Sequence, residues 1–372
     1  MKLLLGGIPL GCDNIGDEAI LAGVVAMLKE SIPGVRITVA TRDLATAARL
    51  GVETIPPHGF AGFGMRGFAE SAAGHDAYIW CGATGLSDYP HVALDLLEIA
   101  QSRGVATFIW GVGMDEELNP AFFRLHGRRR LLATVFGLRS FFERRLEKRL
   151  ARRIASVLPK CRGVWLRDPE SAARLARTGF GRAKVAADSA ILLEPPPARD
   201  LGCKVLGLCI SAQRRVADLD GVKSMIAAVR ASGARVAGIP MNPKTDRPLL
   251  ESLGVESISG DTPESVMEAA GGCAAVLSSR LHLLILAANA RTPPLGIARG
   301  SKLANWLANF GREVEGDVSS CDWTAVTGRV LAALADRGDW DSSRDAAYAA
   351  LRGRLEAARR ELVAELEAID AK

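Results

Sequence analysis

The feature that most constrains this 372-residue chain is a rhythm, in which short apolar runs alternate with longer stretches of helical period. Residues 2–5, 35–40, 77–81, 106–111 and 163–167 read as strands, and 17–30 and 44–50 as helices. In the first helix Ile20, Leu21, Val24, Val25 and Leu28 share one face. Most strand runs are apolar throughout rather than alternating, which predicts parallel strands covered on both faces. The rhythm pauses at Glu194-Pro195-Pro196-Pro197, a stiff stretch lacking backbone donors at three consecutive positions. It then restarts, with strands at 204–211, 235–239 and 274–278 and helices at 263–270, 281–290 and 302–309. Thr262 is placed to cap the first of these helices, with Pro263 at its first position.

The expected fold class is therefore α/β, with two Rossmann-like, doubly wound domains facing a central cleft. The expected partition is an N-terminal domain at 1–193, a Pro-rich linker at 194–200 and a C-terminal α/β domain at 201–335. A helical segment at 336–372, laced with opposite charges, packs back on the body. In such sheets ligands sit beyond the carboxyl ends of the strands.

Composition removes several functions. Hydrophobic residues at 48% and charged residues at 24% exclude disordered and fibrous classes. A net charge of +5 is too mild to imply nucleic acid by itself, and 5% aromatic residues argue against base-stacking platforms, so no nucleic-acid partner is expected. The seven cysteines form no CxxC pair and, with five histidines, give no zinc-ligand spacing, so no metal is expected. Unpaired thiols, no apolar run near ~18 residues and a start too short for a signal-peptide core predict a cytoplasmic protein.

One segment stands apart. Residues 124–153 hold eleven Arg and Lys against Glu143 and Glu147, with Leu131, Leu132, Val135, Phe136, Phe141 and Phe142 among the apolar residues interspersed. The wider stretch 120–158 reads as a basic amphipathic helical segment. Its charges are either simply solvated or rest on an anionic membrane surface, where each cation contributes about 1 kcal/mol.

The strongest local constellation is Ser278-Ser279-Arg280-Leu281-His282, at a strand end where either serine can cap the next helix. Arg280 and His282 then fall near its first turn, where free backbone N–H groups favour an anion. A bound phosphate would keep the histidine protonated and able to act as a general acid. The same residues also fit a packing arginine and a core histidine. In Gly11-Cys12-Asp13-Asn14-Ile15-Gly16-Asp17-Glu18, Asp17 either binds a sugar hydroxyl or is only an N-cap, and the glycines match neither GxGxxG nor a Walker loop. Arg167, in Trp165-Leu166-Arg167-Asp168-Pro169, is a ligand or a structural ion-pair residue. Gly82, in Cys81-Gly82-Ala83, sits in a turn that admits a close ligand.

Together, GCDNIGDEAIL, WLRDPES, SSRLHLLILA and Lys302 in GSKLANWL resemble the bacterial polysaccharide pyruvyl transferases, over roughly 2–311. The resemblance is greatest to the type that modifies cell-wall polymers. It implies a GT-B-like fold and transfer of the pyruvyl group of phosphoenolpyruvate onto two sugar hydroxyls as a cyclic ketal. Phosphoenolpyruvate is then a co-substrate, no cofactor is needed, and the acceptor is a glycan or a polyprenyl-diphosphate-linked sugar. The N-terminal domain becomes the acceptor side and the C-terminal domain the donor side. His282 matches the family's general acid and Arg280 the arginine holding the donor. Arg167 and Lys302 are candidates for further charge neutralisation, and Ser279 and Gly82 for further substrate contact. Asp13, Asn14, Gly16 and Asp17 match the family's first loop, which orients or deprotonates the acceptor. Three positions depart from the pattern: Ser211, with Arg214 and Arg215 only nearby, replaces a frequent arginine; Cys81-Gly82-Ala83 replaces a glycine triplet; and Gly300 replaces an acid. A glycosyltransferase of the same architecture using a nucleotide sugar, or a non-catalytic sugar- or phosphate-binding module, also fits the architecture.

Overall fold

The computed structural model describes residues 1–7, 10, 11, 13–60, 62–115, 132, 133, 135–213 and 216–370. By contacts the chain divides into two compact units. One takes Met1–Leu10, Val25–Asp188 and Arg354–Lys372, the other Gly11–Val24 and Ser189–Gly353.

The first unit carries a seven-stranded, wholly parallel sheet of β1 (Lys2–Gly6), β2 (Arg36–Ala40), β3 (Glu53–Ile55), β4 (Ala77–Cys81), β5 (Ala106–Val112), β6 (Gly163–Leu166) and β7 (Lys184–Val185). The strand order is β3-β2-β1-β4-β5-β6-β7. Order reverses between β1 and β4, which is the doubly wound signature. β4 is buried at all five positions, as expected of a central parallel strand with helices on both faces. Around it Phe68, Tyr78, Trp80, Leu94, Leu97 and Ile109 form a core. Full burial of each such side chain contributes about 1.5–3 kcal/mol. The edge strands β3 and β7 carry no apolar run of their own, so hydrophobic patterning did not reveal them; short, charged edges resist unwanted pairing.

The second unit carries β8 (Val205–Cys209), β9 (Arg235–Gly238), β10 (Ala275–Ser278), β11 (Pro294–Ala298) and β12 (Gly316–Asp317), in order β12-β11-β10-β8-β9 and again all parallel. Here the reversal lies between β8 and β10. Its core gathers Leu206, Leu208, Ile226, Val229, Leu277 and Trp323. β11 escaped sequence reading because Pro293, Pro294 and Gly296 interrupt its apolar run; Pro294 is tolerated as the strand's first residue.

The observed units run differently from the expected partition in three places. Residues 11–24 group with the second unit. The break falls between Asp188 and Ser189, ahead of the prolines, because Asn289 Nδ2 donates to the carbonyls of Ala190 (2.8 Å) and Leu193 (3.1 Å) and so holds that stretch to the second unit. The C-terminal helix Trp340–Asp370 is divided. Tyr348 donates to Asn289 at 2.6 Å within the second unit, while Glu361 accepts from Trp165 Nε1 and pairs with Lys184, both at 2.9 Å, within the first.

The basic segment is a helix over Arg139–Val157, with residues 116–131 and 134 outside the described residues. Leu150, Ile154 and Val157 pack into the first unit's core, and Arg153 pairs with Asp95 (2.5 Å) and Glu98 (3.0 Å). Toward its start the chain shows water large apolar side chains, Val135 at 63%, Phe136 at 65% and Phe141 at 50% exposure. Among the described residues no helix is long and apolar enough to cross a membrane.

Candidate active site

The carboxyl ends of β8, β9, β10 and β11 converge on one turn of the second unit. β10 ends at Ser278, whose Oγ accepts from the Arg280 N–H at 2.8 Å. Ser279 donates its N–H to the Cys209 carbonyl, and its Oγ accepts the Ser211 N–H at 2.9 Å. Both hydroxyls are thus engaged by the turn and the β8 exit, so neither serine caps the next helix. Arg280 itself occupies the cap position of the helix Leu281–Asn289, without a side-chain cap. His282 follows in the first turn, as the strand-to-helix reading requires.

Arg280 is locked in place. Its Nε and Nη2 donate to the two carboxylate oxygens of Asp246, at 3.0 and 2.7 Å. Asp246 has no solvent exposure and also accepts the backbone N–H groups of Ala212 (3.1 Å) and Asn242 (3.0 Å). One carboxylate therefore ties the exits of β8, β9 and β10 together. Sequence reading passed over Asp246, because an aspartate opening the helix Asp246–Ser252 looks like an ordinary dipole partner.

The Gly11–Val24 stretch supplies the other half. The helix Ile15–Ser31 starts two residues before the predicted one, which makes Asn14, not Asp17, the capping residue. Asn14 Oδ1 accepts from the Gly16 N–H at 3.2 Å, and Nδ2 donates to Asp17 Oδ2 at 2.8 Å. The loop is docked on the β9 exit by Ile15 N–H to the Met241 carbonyl at 3.0 Å and by the exposed pair Asp13–Lys244 at 2.6 Å. Gly16 lies directly against the imidazole of His282: a Cβ at 16 would stand closer to Nδ1 than real Cβ atoms approach. Only glycine lets the ring settle on this turn. His282 is half-buried rather than sealed in the core.

Burial raises the Asp17 pKa, against the opposing pull of the His282 charge, the Asn14 hydrogen bond and the charges of Lys302 and Arg280. Its carboxyl is thus within electrostatic reach of three of the other predicted site residues. Lys302 lies in the first turn of the helix Ser301–Ala308 after β11. The cap of that helix, Gly300, has φ +94° and ψ −178°, a backbone open essentially to glycine alone, so an acidic residue there would be strained. Beside it, Arg299 donates from Nη1 to Ser211 Oγ at 2.7 Å. The serine that stands where the resembled family often has an arginine therefore receives a guanidinium from β11. Sequence reading did not single out Arg299. Arg214 and Arg215 lie outside the described residues.

Two predicted residues have different surroundings. Arg167 and Gly82 belong to the first unit. Arg167 is buried, and though burial works against its charge, Asp168, Asp188 and Asp115 raise its pKa overall. Asp168 also caps the helix Pro169–Ala176, so the ion-pair reading of this arginine accounts for its contacts. Gly82 donates its N–H to the Trp110 carbonyl at 2.9 Å, just past β4.

The described residues contain no group of three or more His, Cys, Asp or Glu able to hold a metal. Burial pushes the thiols of Cys81, Cys209 and Cys273 up to about 12, which removes these three as nucleophiles near neutral pH. The chemistry the site offers is a half-buried imidazole, a carboxyl of raised pKa and a cluster of cations around a strand-to-helix turn.

The family model described as polysaccharide pyruvyl transferase matches residues 14–301. No curated protein matches the chain in sequence. Among solved structures, a putative UDP-N-acetylglucosamine 2-epimerase from Listeria monocytogenes is 10% identical, with 93% of this chain and 91% of that one aligned at a TM-score of 0.62. A UDP-GlcNAc 2-epimerase from Neisseria meningitidis bound to UDP-GlcNAc is 11% identical over 98% and 99%, at 0.57. A spinosyn rhamnosyltransferase is 16% identical over 99% of both chains, also at 0.57. These likenesses establish the GT-B-like fold of two Rossmann-like domains.

Proposed function

The chain belongs to the polysaccharide pyruvyl transferase family, and from that premise we propose that it moves the pyruvyl group of phosphoenolpyruvate onto two hydroxyls of a sugar in a cell-wall polysaccharide intermediate. The observation that carries this reading is His282 resting on Gly16, with the Asp17 carboxyl in electrostatic reach and Arg280 held by Asp246.

The steps balance without a cofactor. The His282 imidazolium gives its proton to the methylene carbon of phosphoenolpyruvate, leaving oxocarbenium character at C2. A sugar hydroxyl bonds to C2 and releases its proton to Asp17, whose raised pKa suits a base. The C2–O bond to phosphate then breaks, phosphate takes the electron pair, and the second hydroxyl closes the ketal. Of the two hydroxyl protons, one replaces the proton spent on carbon and the other leaves with phosphate. Arg280, oriented by Asp246, donates to the donor's anionic groups, Lys302 adds a positive charge beside them, and Asp13 and Asn14 line the acceptor loop.

The acceptor is carried on polyprenyl diphosphate. The helix Arg139–Val157 meets the cytoplasmic face of an anionic membrane, with Val135, Phe136 and Phe141 entering the headgroup layer and the arginines facing phosphates.

The deciding experiment incubates the chain with phosphoenolpyruvate and a panel of lipid-linked and aryl glycosides, following phosphate release and mass gain on the glycoside. Coupled phosphate release and a pyruvyl-sized mass increment are expected. Tight binding of a nucleoside diphosphate with none of phosphoenolpyruvate would replace this reading by glycosyl transfer.

A further inference from the structure

We infer that Arg299, at the exit of β11, grips an anionic group of the donor above the carboxyl end of β10; the inference rests on the function proposed above. The strand order places β11 and β8 on either side of β10. Neighbouring strands are about 4.8 Å apart, so a side chain that starts beyond β11 and bonds to a residue beyond β8 spans roughly 10 Å. Arg299 does this: Nη1 donates to Ser211 Oγ at 2.7 Å. Its guanidinium is thereby drawn over the turn Ser278–Ser279, at the point where strand order reverses. That is where doubly wound sheets take their ligands.

The anchor is rigid. Ser211 donates from Oγ to the Gln213 carbonyl at 2.8 Å and from its N–H to Ser279 Oγ at 2.9 Å, so the oxygen that receives Arg299 is fixed to the turn carrying Arg280 and His282.

Charge accounting points the same way. Arg280 spends Nε and Nη2 on Asp246, and that pair sums to zero. A donor bearing both phosphate and carboxylate needs more positive charge than that pair and Lys302 provide. Arg299 brings a permanent cation whose planar fork matches two oxygens of either group, which an ammonium cannot do.

The test measures binding of phosphoenolpyruvate, inorganic phosphate and pyruvate by calorimetry, without acceptor. Arg299→Ala weakens phosphoenolpyruvate binding about 10- to 100-fold, the range for a hydrogen bond to a charged group. Phosphate and pyruvate, as separate ligands, show which end of the donor the guanidinium holds. The exchange variant S211R/R299S carries the guanidinium from the β8 side and recovers most of the lost affinity. Wild-type chain labelled with phenylglyoxal gives an answer that needs no variant to fold: saturating phosphoenolpyruvate protects Arg299. Unchanged affinity in Arg299→Ala, or labelling of Arg299 indifferent to the ligand, overturns the assignment while leaving the proposed function intact. A wild-type chain that binds neither phosphoenolpyruvate nor phosphate retires that function instead, and this role of Arg299 with it.

Discussion

Arg280 and Asp246 form a two-point ion pair whose carboxylate has no contact with solvent. A buried pair is a weak source of net stability, but removing one partner strands the other charge and costs about 3–5 kcal/mol. Asp246→Ala is expected to lose about that much in urea unfolding and to lose activity, because Arg280 is released. Replacing both partners, Arg280→Met with Asp246→Leu, recovers part of the stability and none of the activity. Recovery stays partial because the N–H groups of Ala212 and Asn242 lose their acceptor. A single-variant loss below about 1 kcal/mol would mean that this carboxylate is solvated in solution.

Gly16 and His282 give a prediction that separates catalysis from folding. A methyl group at 16 must push the imidazole aside, and a displacement of about 1 Å at a reacting group can cost ~10²-fold in rate. Gly16→Ala is expected to lower kcat by that order with little change in phosphoenolpyruvate affinity. His282→Ala removes a general acid and should lower kcat by about 10²–10⁴-fold. Its side chain is only half-buried, so the melting temperature should stay near that of the wild type. Steady-state kinetics beside thermal melts check both, and an active His282→Ala variant removes the histidine from the mechanism.

The Asp17 carboxyl predicts how pH acts. Burial raises its pKa, more than the nearby cations lower it. A raised carboxyl contributes stability that is complete below its unfolded value of about 3.9 and is lost as pH rises through the folded value. At neutral pH the ionised group is therefore a burden on the fold. Asp17→Asn should melt higher than wild type at pH 7, with the gap closing as the medium approaches pH 3. If Asp17 is the base, kcat/KM of the wild type should fall on its acid side at a pH above the ordinary carboxylate range. Equal melting temperatures at pH 7 and pH 3 would contradict the burial cost.

Residues legible in the sequence were those whose position follows from local chain geometry. Arg280, His282 and Lys302 stand just after strands and before or within helical turns, and the rhythm of apolar runs places such junctions at a carboxyl edge. Caps are a different matter: Asn14 and Asp17 are both good capping residues three positions apart, and only the actual helix start separates them. Asp246 and Arg299 were illegible for a different reason. Their significance lies in partners 34 and 88 residues away. No period or spacing marks a buried carboxylate shared by three strand exits. The Arg167 motif allowed a ligand residue or a structural ion pair, and of the three aspartates whose charges reach it, Asp115 and Asp188 lie too far along the chain for local spacing to mark them.

The exposed start of the basic helix yields a prediction about membranes. Phe136 and Phe141 are 65% and 50% exposed, close to Arg144, Arg145, Lys148, Arg149 and Arg152 on the following turns. Burying a large apolar side chain contributes about 1.5–3 kcal/mol, and each cation near an anionic surface about 1 kcal/mol. Summed over these residues, the two effects suffice for reversible adsorption. The chain is therefore expected to sediment with phosphatidylglycerol vesicles at low salt, to bind neutral phosphatidylcholine vesicles far less, and to be released as salt screens the cations. Phe136→Ser with Phe141→Ser should weaken sedimentation at every salt concentration, because the apolar contribution is unscreened. Arg144→Gln with Arg149→Gln should flatten the salt dependence instead. Failure to sediment with anionic vesicles at low salt would leave these side chains without a lipid surface, while turnover on soluble aryl glycosides would be unaffected.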